Sequence, residues 1–270
     1  MLLTGKTALV TGGASGIGRA TALALAREGV SAVAVADRQN AQTFADEVNQ
    51  SLGREVMIAF QGDVTDAAFR ADVFRQMKRA HGAVHICIPA AGIVKDALAV
   101  RLSRDNGHAV IYPLDDFERV LSINLTAPIY WALEAIASVA EDRRQRGLGQ
   151  WLPEEGVQGG IIFIGSISSA GNRGQISYAT AKAGLEGAQA TLATEAIYHG
   201  IRCAIIHPGF TDTPMVRALG EEFVQRNILP YTQLKRLIRP EEIADAICFM
   251  LRNSSVSGVL WADAGWHPAP

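Results

Sequence analysis

The amino-acid sequence predicts an α/β protein, a doubly wound parallel sheet of about seven strands with helices on both faces. Three observations carry that prediction. Short runs rich in Val, Ile and Ala alternate with longer, polar-faced segments, the rhythm of strand, crossover helix and parallel strand. The first run opens into a glycine turn, Thr11-Gly12-Gly13-Ala14-Ser15-Gly16-Ile17-Gly18, that leads straight into a helix of small and apolar residues. The runs are apolar throughout, as strands covered on both faces must be.

Residues 6–10 read as the first strand and residues 20–26 as the body of the first helix. Backbone N–H groups at the start of that helix, with no Cβ at Gly12, Gly16 or Gly18 to hold a ligand off, suit a pyrophosphate and meet it with the positive end of the helix dipole. Ser15 and Ile17 belong to the same phosphate-side loop. Residues 30–36 form a second strand that ends at Asp37, nineteen residues beyond Gly18. A carboxylate there accepts hydrogen bonds from both ribose hydroxyls of an adenosine and repels a 2'-phosphate, so NAD is expected over NADP. Arg38 beside it is the group that would receive such a phosphate, and capping of the next helix is the plain alternative for Asp37.

Residues 41–52 read as a polar-faced helix and residues 56–60 as a third strand running into Gln61-Gly62-Asp63-Val64. Asp63 is placed to hydrogen-bond an adenine and Val64 to lie on it; capping of the helix that begins near Asp66 is the alternative for Asp63. A fourth strand, residues 85–89, opens into Ala90-Ala91-Gly92 at the strand ends where ligands of parallel sheets gather. Residues 94–116 are longer than a minimal connection and lack strong periodicity, which fits either a substrate-contacting loop or tolerated surface. Residues 117–140 read as a long, largely apolar helix carrying Asn124. A second insertion, 141–160, begins Glu-Asp-Arg-Arg-Gln-Arg and reads as a solvated helix end and loop, with docking of an acidic partner as the sharper alternative.

Residues 161–164 read as a buried strand, followed by a small and polar loop with Ser166 and then a helix with Tyr178 and Lys182. Four residues of helix put those two side chains on one face, a turn apart. An ammonium there is expected to draw the phenol's pKa down from about 10, making Tyr178 a candidate acid/base with Ser166 as a second hydrogen-bonding group. Residues 201–206 give another strand, leading to His207-Pro208-Gly209-Phe210-Thr211-Asp212-Thr213. An amphipathic stretch, 214–238, with Met215, Leu219 and Phe223 on its apolar side, precedes a last helix at 240–251 and a last strand at 259–261.

Composition bounds the function classes. Of 270 residues, 49% are hydrophobic and 19% charged, enough to bury a large core, and a net charge of -2 offers no electrostatic reason to expect nucleic acid or an anionic membrane as partner. No segment is read as approaching the apolar length that spans a bilayer, and the N-terminus lacks a basic, apolar, small-residue leader, so a soluble protein of the cytoplasm is expected. Cys87, Cys203 and Cys248 have no CxxC spacing and read as buried free thiols. His81 and His85 are four apart, but Gly82 and the apolar run after it argue for a loop entering a strand, and no metal is expected.

Taken together, these motifs resemble the short-chain dehydrogenase/reductase family from about Leu3 to about Trp266, broken by the two insertions. The family's TGxxxGxG loop matches at Gly12, Gly16 and Gly18, and its catalytic tetrad falls on Asn124, Ser166, Tyr178 and Lys182. Two departures are plain. Pro89-Ala90-Ala91-Gly92 stands where the family has NNAG, and the Ser166 to Tyr178 step is twelve residues, one shorter than the commonest form, which leaves Ser168 as a weaker candidate for the serine.

The resemblance implies a Rossmann fold and a single dinucleotide-binding catalytic domain over 1–270, with a substrate-covering segment at about 211–239. It places Ala91 and Gly92 along the cofactor and Pro208, Gly209, Thr211 and Thr213 around the nicotinamide carboxamide. It gives Lys182 the nicotinamide ribose, Asn124 a water linking Lys182 to solvent, and the protein a homodimer or homotetramer built on the Asn124 and Tyr178 helices. Local wording is nearest to the 3-oxoacyl-(acyl-carrier-protein) reductases, yet those generally use NADPH and dock an acidic carrier on basic residues, whereas residues 185–198 contain no Lys or Arg. The expected function is hydride transfer between NAD(H) and a small-molecule secondary alcohol or ketone. Oxoacyl reduction is the first alternative. A non-catalytic dinucleotide sensor is the second, although such proteins typically lose the tyrosine or lysine that this chain keeps.

Overall fold

Strand and helix alternate from Thr7 onward in the computed structural model, which describes residues 1–266. The first half runs β1 (Thr7–Thr11), α1 (Gly16–Arg27), β2 (Ala32–Asp37), α2 (Gln42–Leu52), β3 (Met57–Gln61) and α3 (Ala67–His81). After it come β4 (Ile86–Pro89), β5 (Val100–Leu102), β6 (Ala109–Ile111), α4 (Leu114–Leu121), α5 (Ala127–Gln145) and β7 (Gly159–Ile164). The described residues close with α6 (Ile176–Glu195), β8 (Ile201–Pro208), α7 (Pro214–Arg217), α8 (Glu221–Asn227), α9 (Pro240–Arg252) and β9 (Gly258–Ala262).

Seven strands make one parallel sheet in the order β3-β2-β1-β4-β7-β8-β9. From β1 the chain winds outward to β3, then returns to lay β4 on the other side of β1. The strand order therefore reverses between β1 and β4, and a crevice opens there beyond the strand carboxyl ends. Two cores flank the sheet. In β2, Val33 and Val35 face one core with Leu25 and Ile247, while Ala32, Ala34 and Ala36 face the other with Phe74 and Trp131. That alternation, hidden in an all-apolar sequence, is the period of two of a strand buried on both sides.

Local chemistry sets the ends of the elements near the crevice. Asp66 caps α3 by accepting from the Ala68 and Phe69 amides at 2.7 and 3.3 Å, so the side chain of Asp63 is not the cap. Asp63 instead accepts from the amide and hydroxyl of Thr65 at 2.9 and 2.6 Å. The fully buried Trp131 donates its indole N–H to the Val64 carbonyl at 2.9 Å, fixing that turn from beneath. Between α4 and α5 the helix widens into a π turn, Ser122–Thr126, centred on Asn124.

Three expectations need correction. Residues 94–116 contain an antiparallel hairpin, with Val100 opposite Ile111 and Leu102 opposite Ala109. All six strand residues are exposed, so no burial period marks them in the sequence. The insertion after α5 is more than a solvated loop: Arg143 is buried and reaches both oxygens of Glu155, at 2.6 and 3.1 Å, and the Gly149 carbonyl at 3.0 Å. Last, Leu114–Gln145 is one continuous helix of 32 residues, long and apolar enough by length and composition alone to cross a bilayer. One face of it, with Trp131, Ala132, Ala135 and Val139, is in the core beside α3 and the sheet, while Leu114, Tyr130 and Leu133 are exposed.

Candidate active site

A cleft of about 350 Å³ fills the crevice at the strand reversal. The glycine turn forms its floor. Gly12 has φ +65°, and a Cβ there would lie 2.7 Å from the Ala91 backbone; at Gly18 it would lie 2.3 Å from the Gly12 carbonyl. Only glycine lets the two loops and the helix start meet this closely, and their meeting leaves the cradle beside the first turn of α1 open to a pyrophosphate. Ser15, Gly16 and Ile17 line the same floor.

The expected adenosine end lies along the ends of β2 and β3, where Asp37, Arg38, Asp63 and Val64 all line the cleft. Asp37 is held by two amides, accepting from Ala14 at 3.0 Å and Gln39 at 2.8 Å. Its carboxylate is thus fixed at the cleft wall with lone pairs remaining. Hydrogen bonds from Thr65 hold the Asp63 carboxyl below the usual range, with a smaller contribution from Arg119, 3.4 Å away on α4. Arg119 lines the cleft, and no local sequence pattern marks it, because its tie to Asp63 joins positions 56 residues apart.

At the end of β4 the altered Pro-Ala-Ala-Gly segment is braced by backbone. Ala90 donates to the Thr11 carbonyl and Ala91 to the Thr11 hydroxyl, both at 3.2 Å. Asn124, wholly buried in the π turn, clamps the next residue: its Oδ1 accepts from the Ile93 amide at 2.9 Å and its Nδ2 donates to the Ile93 carbonyl at 2.8 Å. Ala91, Gly92 and Ile93 line the cleft as a result.

A second cavity of about 140 Å³ adjoins the cleft. The two share Ile17, Ile164, Tyr178, Thr213 and Met215, so Tyr178 stands at their junction. Ser166 and Ser168 line the second cavity on one side, with Phe210, Met215, Val216 and Leu219 on the other. Pro208, Gly209 and Thr211 also lie on this second cavity; of the loop after β8, only Thr213 among the foreseen residues reaches the cleft. Thr211 donates its hydroxyl to the Gly209 carbonyl at 3.0 Å, a bond that shapes the loop.

Tyr178 and Lys182 come together on α6 with Ser166 beside them, but the electrostatics differ from the expected ones. Burial pushes the Tyr178 phenol above its ordinary value, a hydrogen bond with Ser166 pulls it back in part, and the Asp96 carboxylate adds to the rise. The cost of burying a phenolate exceeds what the Ser166 hydrogen bond returns. Lys182 lies 5.5 Å from the Tyr178 ring centre, donates to the Ile164 carbonyl at 2.7 Å, and is itself lowered by burial to about 8. Ser166, rather than Ser168, is the serine whose side chain acts on the phenol, and its Oγ accepts from the Ser168 amide at 3.1 Å.

The family described as short chain dehydrogenase matches residues 6–223 of the chain. A (3R)-3-hydroxyacyl-CoA dehydrogenase of Canis lupus familiaris is 33% identical over 264 residues, covering 94% of this chain and 92% of that protein. A 3-oxoacyl-(acyl-carrier-protein) reductase of Escherichia coli (strain K12) is 32% identical over 257 residues, covering 94% and 93%. Among solved structures, a short-chain type dehydrogenase/reductase from Mycobacterium marinum superposes with a TM-score of 0.80 at 28% identity, over 99% of this chain and 97% of that one.

Proposed function

The chain belongs to the short-chain dehydrogenase family, an oxidoreductase family, and from that premise we propose that it moves a hydride between NAD(H) and a secondary alcohol or its ketone. The observation that carries the proposal is Tyr178, standing between a glycine-floored cleft and a second cavity, with Ser166 and Lys182 beside it. The cleft suits a dinucleotide because the glycines of its floor leave the cradle at the start of α1 open. Bound there, the nicotinamide supplies the hydride acceptor or donor.

The chain's own residues handle the proton and the oxygen. Tyr178 takes the hydroxyl proton in oxidation and returns one to oxygen in reduction. Ser166 hydrogen-bonds the same oxygen and tempers the cost of ionising the phenol. Lys182, whose lowered pKa leaves it still mostly charged at neutral pH, holds the ribose nearest the chemistry and steadies negative charge on Tyr178. Both polar side-chain atoms of Asn124 are bonded to Ile93, which supports a role in fixing the cleft wall in place of direct contact with substrate. Asp37, anchored by two amides at the adenosine end, favours NAD over NADP.

Names of the relatives suggest where to begin with substrates. One relative is named for a 3-hydroxyacyl-CoA and the other for a 3-oxoacyl-(acyl-carrier-protein), and the apolar wall of Phe210, Met215, Val216 and Leu219 suits an acyl chain. The test is a screen of NAD and NADP against short alcohols, sugars, steroids and acetoacetyl thioesters, following reduced nicotinamide by absorbance. Turnover with NAD that Tyr178→Phe abolishes supports the proposal. Tight dinucleotide binding with no hydride transfer to any substrate would leave the sensor reading in its place.

A further inference from the structure

Ser166 sits just beyond β7, in extended backbone at φ -167° and ψ 153° ahead of a short 3-10 turn. What holds its backbone there is a side chain from the next strand. His207 of β8 is wholly buried, and its Nδ1 lies 3.1 Å from the Ser166 amide nitrogen and 2.9 Å from the carbonyl oxygen of the same residue. The hydroxyl of Ser169 is 3.4 Å from the same ring nitrogen.

The ring has little freedom to turn. Its face stacks on Trp261 with centres 4.3 Å apart and planes 20° apart, and the two residues are parallel-sheet neighbours. A Cβ at Gly165 would come within 2.5 Å of Nδ1, so the imidazole lies directly against the Gly165-Ser166 backbone. At its far end, Nε2 is 3.6 Å from the Glu186 carboxylate on α6, two turns beyond Tyr178 on the same helix.

We propose that His207 is a positioning residue: through Nδ1 it sets the Ser166 backbone so that the serine hydroxyl meets Tyr178. The inference rests on the reading of Ser166 and Tyr178 as the catalytic pair. A histidine buried for packing alone would be replaceable by an apolar ring of similar size. One that positions Ser166 would not, because Phe keeps the stack on Trp261 and has no atom to bond the Ser166 backbone.

His207→Phe is expected to lower kcat on the order of 10²-fold, the cost of misplacing a catalytic group by about 1 Å, with NAD affinity close to that of the parent and a lowered thermal midpoint, since the buried Ser166 backbone loses its partner. His207→Asn, whose side-chain oxygen falls near the place of Nδ1, is expected to recover much of that loss. In a Ser166→Ala background His207→Phe is expected to add almost nothing, because the hydroxyl it positions is already gone. Equal losses in both backgrounds, a parent-like kcat for His207→Phe, or an Asn variant no better than Phe would overturn the proposal. A crystal structure of His207→Phe decides the matter without turnover: displacement of Ser166 Oγ away from Tyr178 supports it, and an unmoved serine refutes it. Failure of the parent protein to turn over any substrate is a separate result that counts against the catalytic pair itself.

Discussion

Burial pushes both Tyr178 and Lys182 toward their neutral forms, and that shared pressure sets how activity is expected to depend on pH. Alcohol oxidation needs the phenolate, so kcat/KM for oxidation is expected to rise with pH through and beyond 8, while ketone reduction, which needs the phenol, stays level near neutrality and falls only in alkali. A rate profile in both directions checks this, and an oxidation rate that is flat from pH 7 to pH 10 would contradict it. Tyr178→Phe is expected to cost 10²–10⁴-fold in kcat, the usual worth of a general acid or base, with dinucleotide binding retained by calorimetry. Lys182 carries a stability cost that its removal should expose. Its pKa is about 8 in the fold against 10.5 ordinarily. The unfolded chain therefore binds more protons between those values, and stability should rise as pH climbs from about 8 to about 10, above which the raised pKa of Tyr178 acts the other way. Lys182→Met is accordingly expected to be inactive yet more stable at pH 7, by up to about 3 kcal/mol at 1.36 kcal/mol per unit of pKa, and denaturant titration measures it.

At the scale of elements, strands and helices declare themselves wherever one face is buried. The order from β1 to β4 and the α6 pair of Tyr178 and Lys182 are legible for that reason, since apolar runs and a four-residue helical step are local patterns. The β5/β6 hairpin is not, because Val100, Leu102 and Ile111 face solvent and carry no period. Its one local signal was Asn106-Gly107, the tip where Gly107 takes φ +70° and Asn106 accepts from the His108 amide. The hairpin is nonetheless tied to the site: Ala97 bridges Gln175, the Tyr112 hydroxyl donates to the Lys95 carbonyl at 2.5 Å, and that hydroxyl lies 2.9 Å from Ser177, ahead of Tyr178. Arg143 shows the other kind of miss. A charged run read as solvated contains one residue turned inward, and its partner Glu155 lies across a loop. Arg143→Ala is expected to destabilise the fold by about 3 kcal/mol, the low end for breaking a buried pair, because Glu155 is partly exposed and can rehydrate. A thermal midpoint within a degree of the parent would show that the pair contributes little.

Across the whole molecule, the sheet order decides where the ligand goes. The reversal between β1 and β4 brings Gly12, Asp37, Asp63 and Ala91, from four separate strand ends, to one cleft. Each of those positions was readable as a strand end, whereas the link from Arg119 to Asp63 and the wedge of His207 against Ser166 arise only when distant segments meet. A ligand spanning the cleft should stabilise the assembly as a unit. NAD at a hundred times its Kd adds about 2.7 kcal/mol, which for a chain of this size raises Tm by roughly 5–10 °C. NADP at the same concentration should do much less, and Asp37→Ala should narrow the gap between them in both Tm shift and kcat/KM. Equal shifts with the two dinucleotides in the parent would remove the carboxylate argument for NAD.

Among the described residues β9 is the last strand and the outer edge of the sheet, held along one side by β8. Because Trp261 on that strand stacks on the His207 ring, which in turn lies against the Ser166 backbone, the margin of the molecule and its chemistry are mechanically joined. Trimming the chain at residue 257, as by a carboxypeptidase, should therefore silence the enzyme while the glycine cradle, some strands away, still takes up its dinucleotide.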